Sequence, residues 1–350
     1  MNLKNLWLLV ASTAVAFVAG IAIVSYWMVP NPQLEFRGGN FLAFDPEIGM
    51  VATPSHYTKR VDGPTPNRGP LIYDIYTDDR SARVDGPEKQ KSPEHVDMLA
   101  IGCSFTFGHP IQNRDTYSSR LARDLGVTVS DFALPSYGTT ESLLMLRRNR
   151  DLAPKVVIYG FITAHLDRNI LACASSYHPF CLDVAHVDWD EAGRPGIVPP
   201  TSNGVQRVYQ HMTGPSLNPV TWLSHGVDVI YGKLLLAKDN DHALSREKRE
   251  EAFAFLFAEL QRTVKEMGAE LLVVHIPQTY EAPPPELMHH LNGARFLDVA
   301  PALKRHHDAG GAALQVVDDG HPNEVAHGII ASEIAGYLRR EGLAVPGTAK

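Results

Sequence analysis

Between Val96 and Glu341, apolar runs of strand length alternate with helix-length segments, a pattern that leaves few folds open. Strands are expected over 96–102, 127–132, 155–161, 270–275 and, more briefly, 295–299. Helices are expected over 116–125, 139–150, 245–267, 284–291 and 323–341. Strands separated by helices of ten or more residues pair in parallel through right-handed crossovers, which predicts an α/β doubly wound parallel sheet. The alternation breaks once. Residues 171–241 are loop-like, with Pro and Gly throughout and a short helical stretch near Leu234. A connection this long inside a compact domain is usually functional or an insertion. It follows the carboxyl end of the third strand, so it is expected to line or cover a site. Its Tyr177, Phe180 and Trp189 either stack on a sugar or anchor the loop to the body.

Two further segments precede the alternating region. Residues 31–95 are rich in Pro, Gly and Asp and read as a loop-rich extension packing on the main domain, with 71–77 as its best strand. Residues 6–29 form an uncharged run of 24 residues, about 36 Å as a helix and enough to span a hydrocarbon core of about 30 Å. Trp7 sits near one end and Tyr26-Trp27 near the other, where interfacial aromatics belong. A cleaved signal peptide competes with an uncleaved anchor, and the run exceeds the usual signal core of about 7–15 residues. The expected organisation is therefore an anchor over 1–30, the extension, and a main domain over 96–345. The body would lie outside the cytoplasm, in the periplasm if the source is Gram-negative.

Cysteine usage fits that compartment. Cys173 and Cys181 bracket a short loop that could close as a disulfide, stabilising the fold by about 2–3 kcal/mol in the chain-entropy account. Lys and Arg total 32 against 39 Asp and Glu, giving a net charge of −7. That balance argues against a nucleic-acid partner, which would require clustered cations.

In a doubly wound sheet, chemistry collects at the carboxyl ends of the strands. The first strand runs into Gly102-Cys103-Ser104-Phe105-Thr106-Phe107-Gly108. Its serine can present a hydroxyl above a helix N-terminus, although a serine there is most often an N-cap. The segment lacks the Gly-Lys-Ser/Thr ending of a phosphate-binding loop. Near the far end of the chain, Asp318-Asp319-Gly320-His321-Pro322-Asn323 precedes the last helix. A His three residues after an Asp can donate Nδ1–H to that carboxylate while Nε2 faces a serine.

Together the two segments resemble the SGNH (GDSL-type) hydrolases. Gly102-Cys103-Ser104 with Thr106 and Gly108 matches the first family block, with Cys103 replacing the usual Asp. Gly138 matches the glycine of the second block, and Asp318 with His321 matches the Asp-x-x-His block. The resemblance runs from about Phe44 to Tyr337. It implies a three-layer flavodoxin-like fold and ester hydrolysis by a Ser104–His321–Asp318 triad. The oxyanion would be held by the N–H groups of Ser104 and Gly138. The third family block departs, because Ala164 and His165 stand where Asn and Asp would be. His165 is then the first candidate for the missing donor, with Asn169 and Asn323 behind it.

The substrate expected from this resemblance and from the location is an acylated, most simply acetylated, carbohydrate or another ester. An O-acyltransferase using the same triad and a non-catalytic carbohydrate-binding protein on the same fold are the alternatives. No cofactor or metal is expected. The adjacent pairs His289-His290 and His306-His307 point different ways on a helix and make poor ligand sets.

Overall fold

The computed structural model describes residues 3–28, 36–37, 41–61, 71–172, 183–200, 245–317 and 319–343. The run predicted to be helical at the N-terminus is α1 (Leu3–Met28), 26 residues long. Its side chains are described for 5–7 and 10–20, all of them exposed. Among the described residues, no helix is long and apolar enough to cross a membrane.

The extension contains far more strand than its Pro and Gly content suggests. After β1 (Phe36–Arg37) come two antiparallel pairs, β2 (Leu42–Asp45) with β3 (Gly49–Ala52) and β4 (Ser55–Val61) with β5 (Leu71–Thr77). The short β6 (Arg83–Val84) follows. On β5 the inward positions Tyr73, Ile75 and Thr77 are buried, and the residues between them are not. That period of two is the signature of a sheet with one covered face.

The predicted alternation then appears almost element for element. In order come β7 (Met98–Gly102), α2 (Ser104–Phe107), α3 (Tyr117–Leu125), β8 (Val129–Asp131), α4 (Thr139–Arg148), β9 (Val156–Phe161) and α5 (His165–Arg168). The connection that follows carries a hairpin, β10 (His186–Trp189) with β11 (Pro195–Val198). The chain then runs through α6 (Arg246–Glu266), β12 (Glu270–His275), α7 (Pro285–His290), β13 (Arg295–Asp298), α8 (Ala300–Asp308) and α9 (Glu324–Arg340).

The parallel strands lie in the order β8-β7-β9-β12-β13, and β6, β5, β4 and β1 continue the same sheet antiparallel beyond β8. The parallel part has flavodoxin-like order, whose switch point lies between β7 and β9. Both of these strands are buried at every position, as their continuous apolar sequences require. Their side chains alternate between two cores. Val157, Tyr159 and Phe161 join the helices α4 and α6 on one face, while Val156 and Ile158 meet α3, α8 and α9 on the other.

The helix ends are closed by local chemistry. Thr116 caps α3, Ser245 caps α6, and the Asn323 carboxamide oxygen accepts from the N–H groups of Val325 and Ala326 at the start of α9. The α9 cap also fixes the loop that carries His321.

Candidate active site

The nucleophile candidate sits on the turn between β7 and α2. Gly102 and Gly160 are register partners on β7 and β9, and a Cβ on either would collide with the Thr106 hydroxyl. Gly102 also has φ +150, a backbone that side-chain-bearing residues rarely adopt. The two glycines therefore let α2 settle directly on the sheet, placing Ser104 at its first position. There its N–H has no intrahelical acceptor and points out of the helix end. Gly108 ends the turn in the left-handed region, its N–H donating to the Ser104 carbonyl at 2.9 Å.

Ser104 and His321, 217 positions apart, meet with Oγ 2.9 Å from Nε2. The carboxylate on the other side of the ring is Asp319, whose Oδ1 is 2.5 Å from His321 Nδ1. The expected partner, Asp318, lies outside the described residues; among the described residues the carboxylate on this imidazole is Asp319. The physical reason is local. Asp319 Oδ1 also accepts from the His321 backbone N–H at 3.4 Å, and Gly320 turns the chain with φ 81. A carboxylate two residues upstream is thereby folded back onto the ring. Burial pushes the Asp319 carboxyl up, but the imidazoles of His109 and His321 beside it outweigh that and hold it far below the usual carboxylate range. It is an anion poised to stabilise an imidazolium.

The expected oxyanion donors are rearranged. The Gly138 N–H donates to Glu141 Oε2 at 2.8 Å at the start of α4, so it is already engaged. His165 is fully buried, with Nδ1 2.8 Å from the Tyr159 hydroxyl and its ring edge-on to Phe161. Burial pushes its pKa well down, and no hydrogen bond joins it to Ser104 or His321. Its Nε2 is buried and has no hydrogen-bond partner among the described residues. Asn323 is committed to the α9 cap and to the Ala313 carbonyl, 2.7 Å away. Asn169 remains. Its Oδ1 accepts the Thr139 N–H at 2.8 Å, and its buried Nδ2 has no partner among the described residues. The carboxamide lies against Gly138, where a Cβ would come within 3.0 Å of Oδ1.

Cys103 is a buried free thiol, whereas Cys173, Cys181, Tyr177 and Phe180 lie outside the described residues. Trp189 anchors the connection to α6, because its indole N–H donates to Glu251 and Lys248 stands over its ring. His289 and His290 flank Glu250, and His306 reaches the Ala312 carbonyl. Ligand-type atoms of His109, Asp319 and His321 lie within 4.8 Å of one another, a set that could in principle hold a metal. The short His321–Asp319 contact and the Ser104 partner instead fit a proton relay.

Sequence reasoning passed over Arg83. Its buried guanidinium lies over the Phe107 ring and donates to Asn113 and to the carbonyls of Phe107, Gly108 and Ile111. One strand residue of the extension thus grips the chain just after Ser104. An arginine in a short polar segment carries no signal of that role.

Comparison with known proteins gives a likeness of fold alone. No protein-family description matches the chain, and no curated protein does. Its structural neighbours are GDSL-type lipolytic enzymes and family-two carbohydrate esterases. The psychrotrophic esterase EstA from Pseudoalteromonas covers 70% of this chain and 98% of its own at 10% identity and a TM-score of 0.36. A GDSL-like lipase from Bacteroides thetaiotaomicron covers 74% and 92% at 10% identity and 0.34. A family-two carbohydrate esterase from Corynascus thermopiles covers 74% of this chain and 69% of its own at 13% identity and 0.35. Scores this low record a likeness, and the chemistry below rests on the site itself.

Proposed function

We propose that the protein is a serine esterase in which Ser104, His321 and Asp319 form the catalytic relay. The observation that carries this is the continuous contact from Asp319 Oδ1 through His321 to Ser104 Oγ, at 2.5 and 2.9 Å. His321 Nε2 takes the hydroxyl proton as Oγ attacks the ester carbonyl, and Asp319 holds the resulting imidazolium. The tetrahedral oxyanion is received by the Ser104 N–H, with the Asn169 amide as a second donor. His321 returns the proton to the departing alkoxide. Water, activated by the same imidazole, then releases the carboxylic acid from the acyl-enzyme. If a sugar hydroxyl replaces water at that step, the outcome is acyl transfer.

An acetylated carbohydrate as substrate follows from the sequence resemblance. A body tethered outside the cytoplasm follows from the uncharged run over 6–29. Alkaline extraction of membranes from expressing cells tests the tether, since an integral anchor stays in the pellet.

Labelling with a fluorophosphonate tests the nucleophile. The parent chain should label and hydrolyse p-nitrophenyl acetate, and Ser104→Ala should do neither. Equal labelling of Ser104→Ala would end the assignment. Product analysis with acetylated polysaccharide, with and without an acceptor glycan, separates hydrolysis from transfer.

A further inference from the structure

A second imidazole faces the acid of the relay. His109 follows the left-handed Gly108, and its backbone N–H donates to the Ser104 carbonyl at 3.0 Å. Its ring therefore springs from the nucleophile's own turn. The side chain is buried, with Nδ1 2.7 Å from the Tyr73 hydroxyl on β5 and Nε2 3.8 Å from Asp319 Oδ2. That oxygen is the one His321 does not hold. The two imidazoles stand edge to face with centroids 4.8 Å apart, and Phe105 packs against His321 at 5.2 Å. Among the described residues, the charged and titratable groups facing His109 are Lys59 from β4, Tyr73 from β5, and Asp319 and His321 from the loop before α9.

A carboxylate opposite Nε2 favours the tautomer with the proton on that nitrogen, and a Tyr73 hydroxyl donating to Nδ1 completes it. We propose that His109 is a positioning residue for the relay. Its Nε2–H holds Asp319 Oδ2 so that Oδ1 is presented to His321, and it ties the acid to the turn that carries Ser104. The separation of 3.8 Å is longer than a hydrogen bond. Such contacts often tighten only when the reacting complex forms. Burial, then the nearby Lys59 charge, push the His109 imidazole down to about 3. It thus supplies a neutral donor and leaves the relay's charge unchanged.

This inference rests on the proposed Ser104–His321–Asp319 relay, and the two can fail separately. The full chain is compared with His109→Ala, His109→Gln and Tyr73→Phe for p-nitrophenyl acetate turnover across pH and for fluorophosphonate labelling. His109→Ala should lower kcat on the order of tenfold or more, the usual loss when a ligand-orienting partner is removed, with KM little changed. The acid limb of kcat/KM should move to higher pH, because a carboxylate freed of one donor holds the His321 proton more tightly. His109→Gln, whose amide nitrogen can approach the Nε2 position, should recover most of the loss, and Tyr73→Phe should fall between. Parent kcat and an unmoved acid limb in His109→Ala would overturn the proposal while leaving the relay intact. If His109→Ala does not fold, an unmoved acid limb in Tyr73→Phe overturns it instead. Unimpaired labelling of Ser104→Ala would remove the relay itself.

Discussion

Two neighbouring aspartates differ by one peptide unit, and among the described residues Asp319 is the one bonded to the imidazole that faces Ser104. Asp319→Ala should therefore lower kcat by about 10⁴-fold, comparable to the loss of a triad acid elsewhere. Asp318→Ala should stay within a few-fold of the parent. Steady-state kinetics on the two variants decide between them, and the reverse ranking would return the role to Asp318. The Asp-Asp-Gly-His run showed where an acid must lie but not which one. The choice depends on the backbone angles at Gly320 and on an Asp319 hydrogen bond to the His321 N–H, neither of which spacing encodes. Asn169 poses a similar problem. Replacing it by Asp keeps the acceptor for Thr139 and removes the amide donor. The expected cost is about 10²- to 10³-fold in kcat with KM nearly constant. A kcat equal to the parent's would mean the oxyanion is held elsewhere.

Helices and strands were legible where apolar residues run continuously or repeat at helical spacing. The sequence-predicted helix over 116–125 is α3 (Tyr117–Leu125), and the strand over 270–275 is β12 (Glu270–His275). The extension was misjudged because its strands are half-buried hairpins, whose polar alternate residues resemble loop composition. Element packing also explains why Gly160 cannot be inferred locally. It lies in mid-strand, and its need for a bare Cα comes from Thr106, brought in by another element. Gly160→Ala should destabilise the fold by about 1–3 kcal/mol through overpacking. Combining it with Thr106→Ala should recover much of that loss. Urea unfolding of the single and double variants measures the coupling, and additive losses would show that the Thr106 contact is not the cause.

At the scale of the molecule, the sheet encloses ionisable groups that shape its response to acid. His327 accepts the Tyr117 N–H at Nδ1, 3.1 Å away. Burial, with the Arg83 and Arg120 charges next, pushes its pKa down to about 3. The unfolded chain takes up that proton near pH 6.5 and the native chain does not, so stability drains away as pH falls from about 6.5 toward 3. Asp131 and Glu141 work the other way, since burial pushes both up to about 7. They favour the native state as pH drops from 7 toward their ordinary values. His327→Gln keeps an acceptor for Tyr117 and removes one titration. Its stability relative to the parent should rise by about 1.4 kcal/mol per pH unit between pH 6 and 4. Parallel unfolding curves at pH 7, 5.5 and 4.5 would show that His327 is not responsible.

Arg83 gives the molecule an unusual interdependence. The parallel strands supply the nucleophile, but the carbonyls of the loop behind it are satisfied by a guanidinium from the antiparallel flank. Excising residues 1–95 to obtain a minimal catalytic unit would strip the Phe107 and Ile111 carbonyls of their guanidinium donor inside a closed interior. Loop grafting between this protein and one lacking such a flank would meet the same obstacle. Any engineered exchange must carry the arginine and its strand along with the turn.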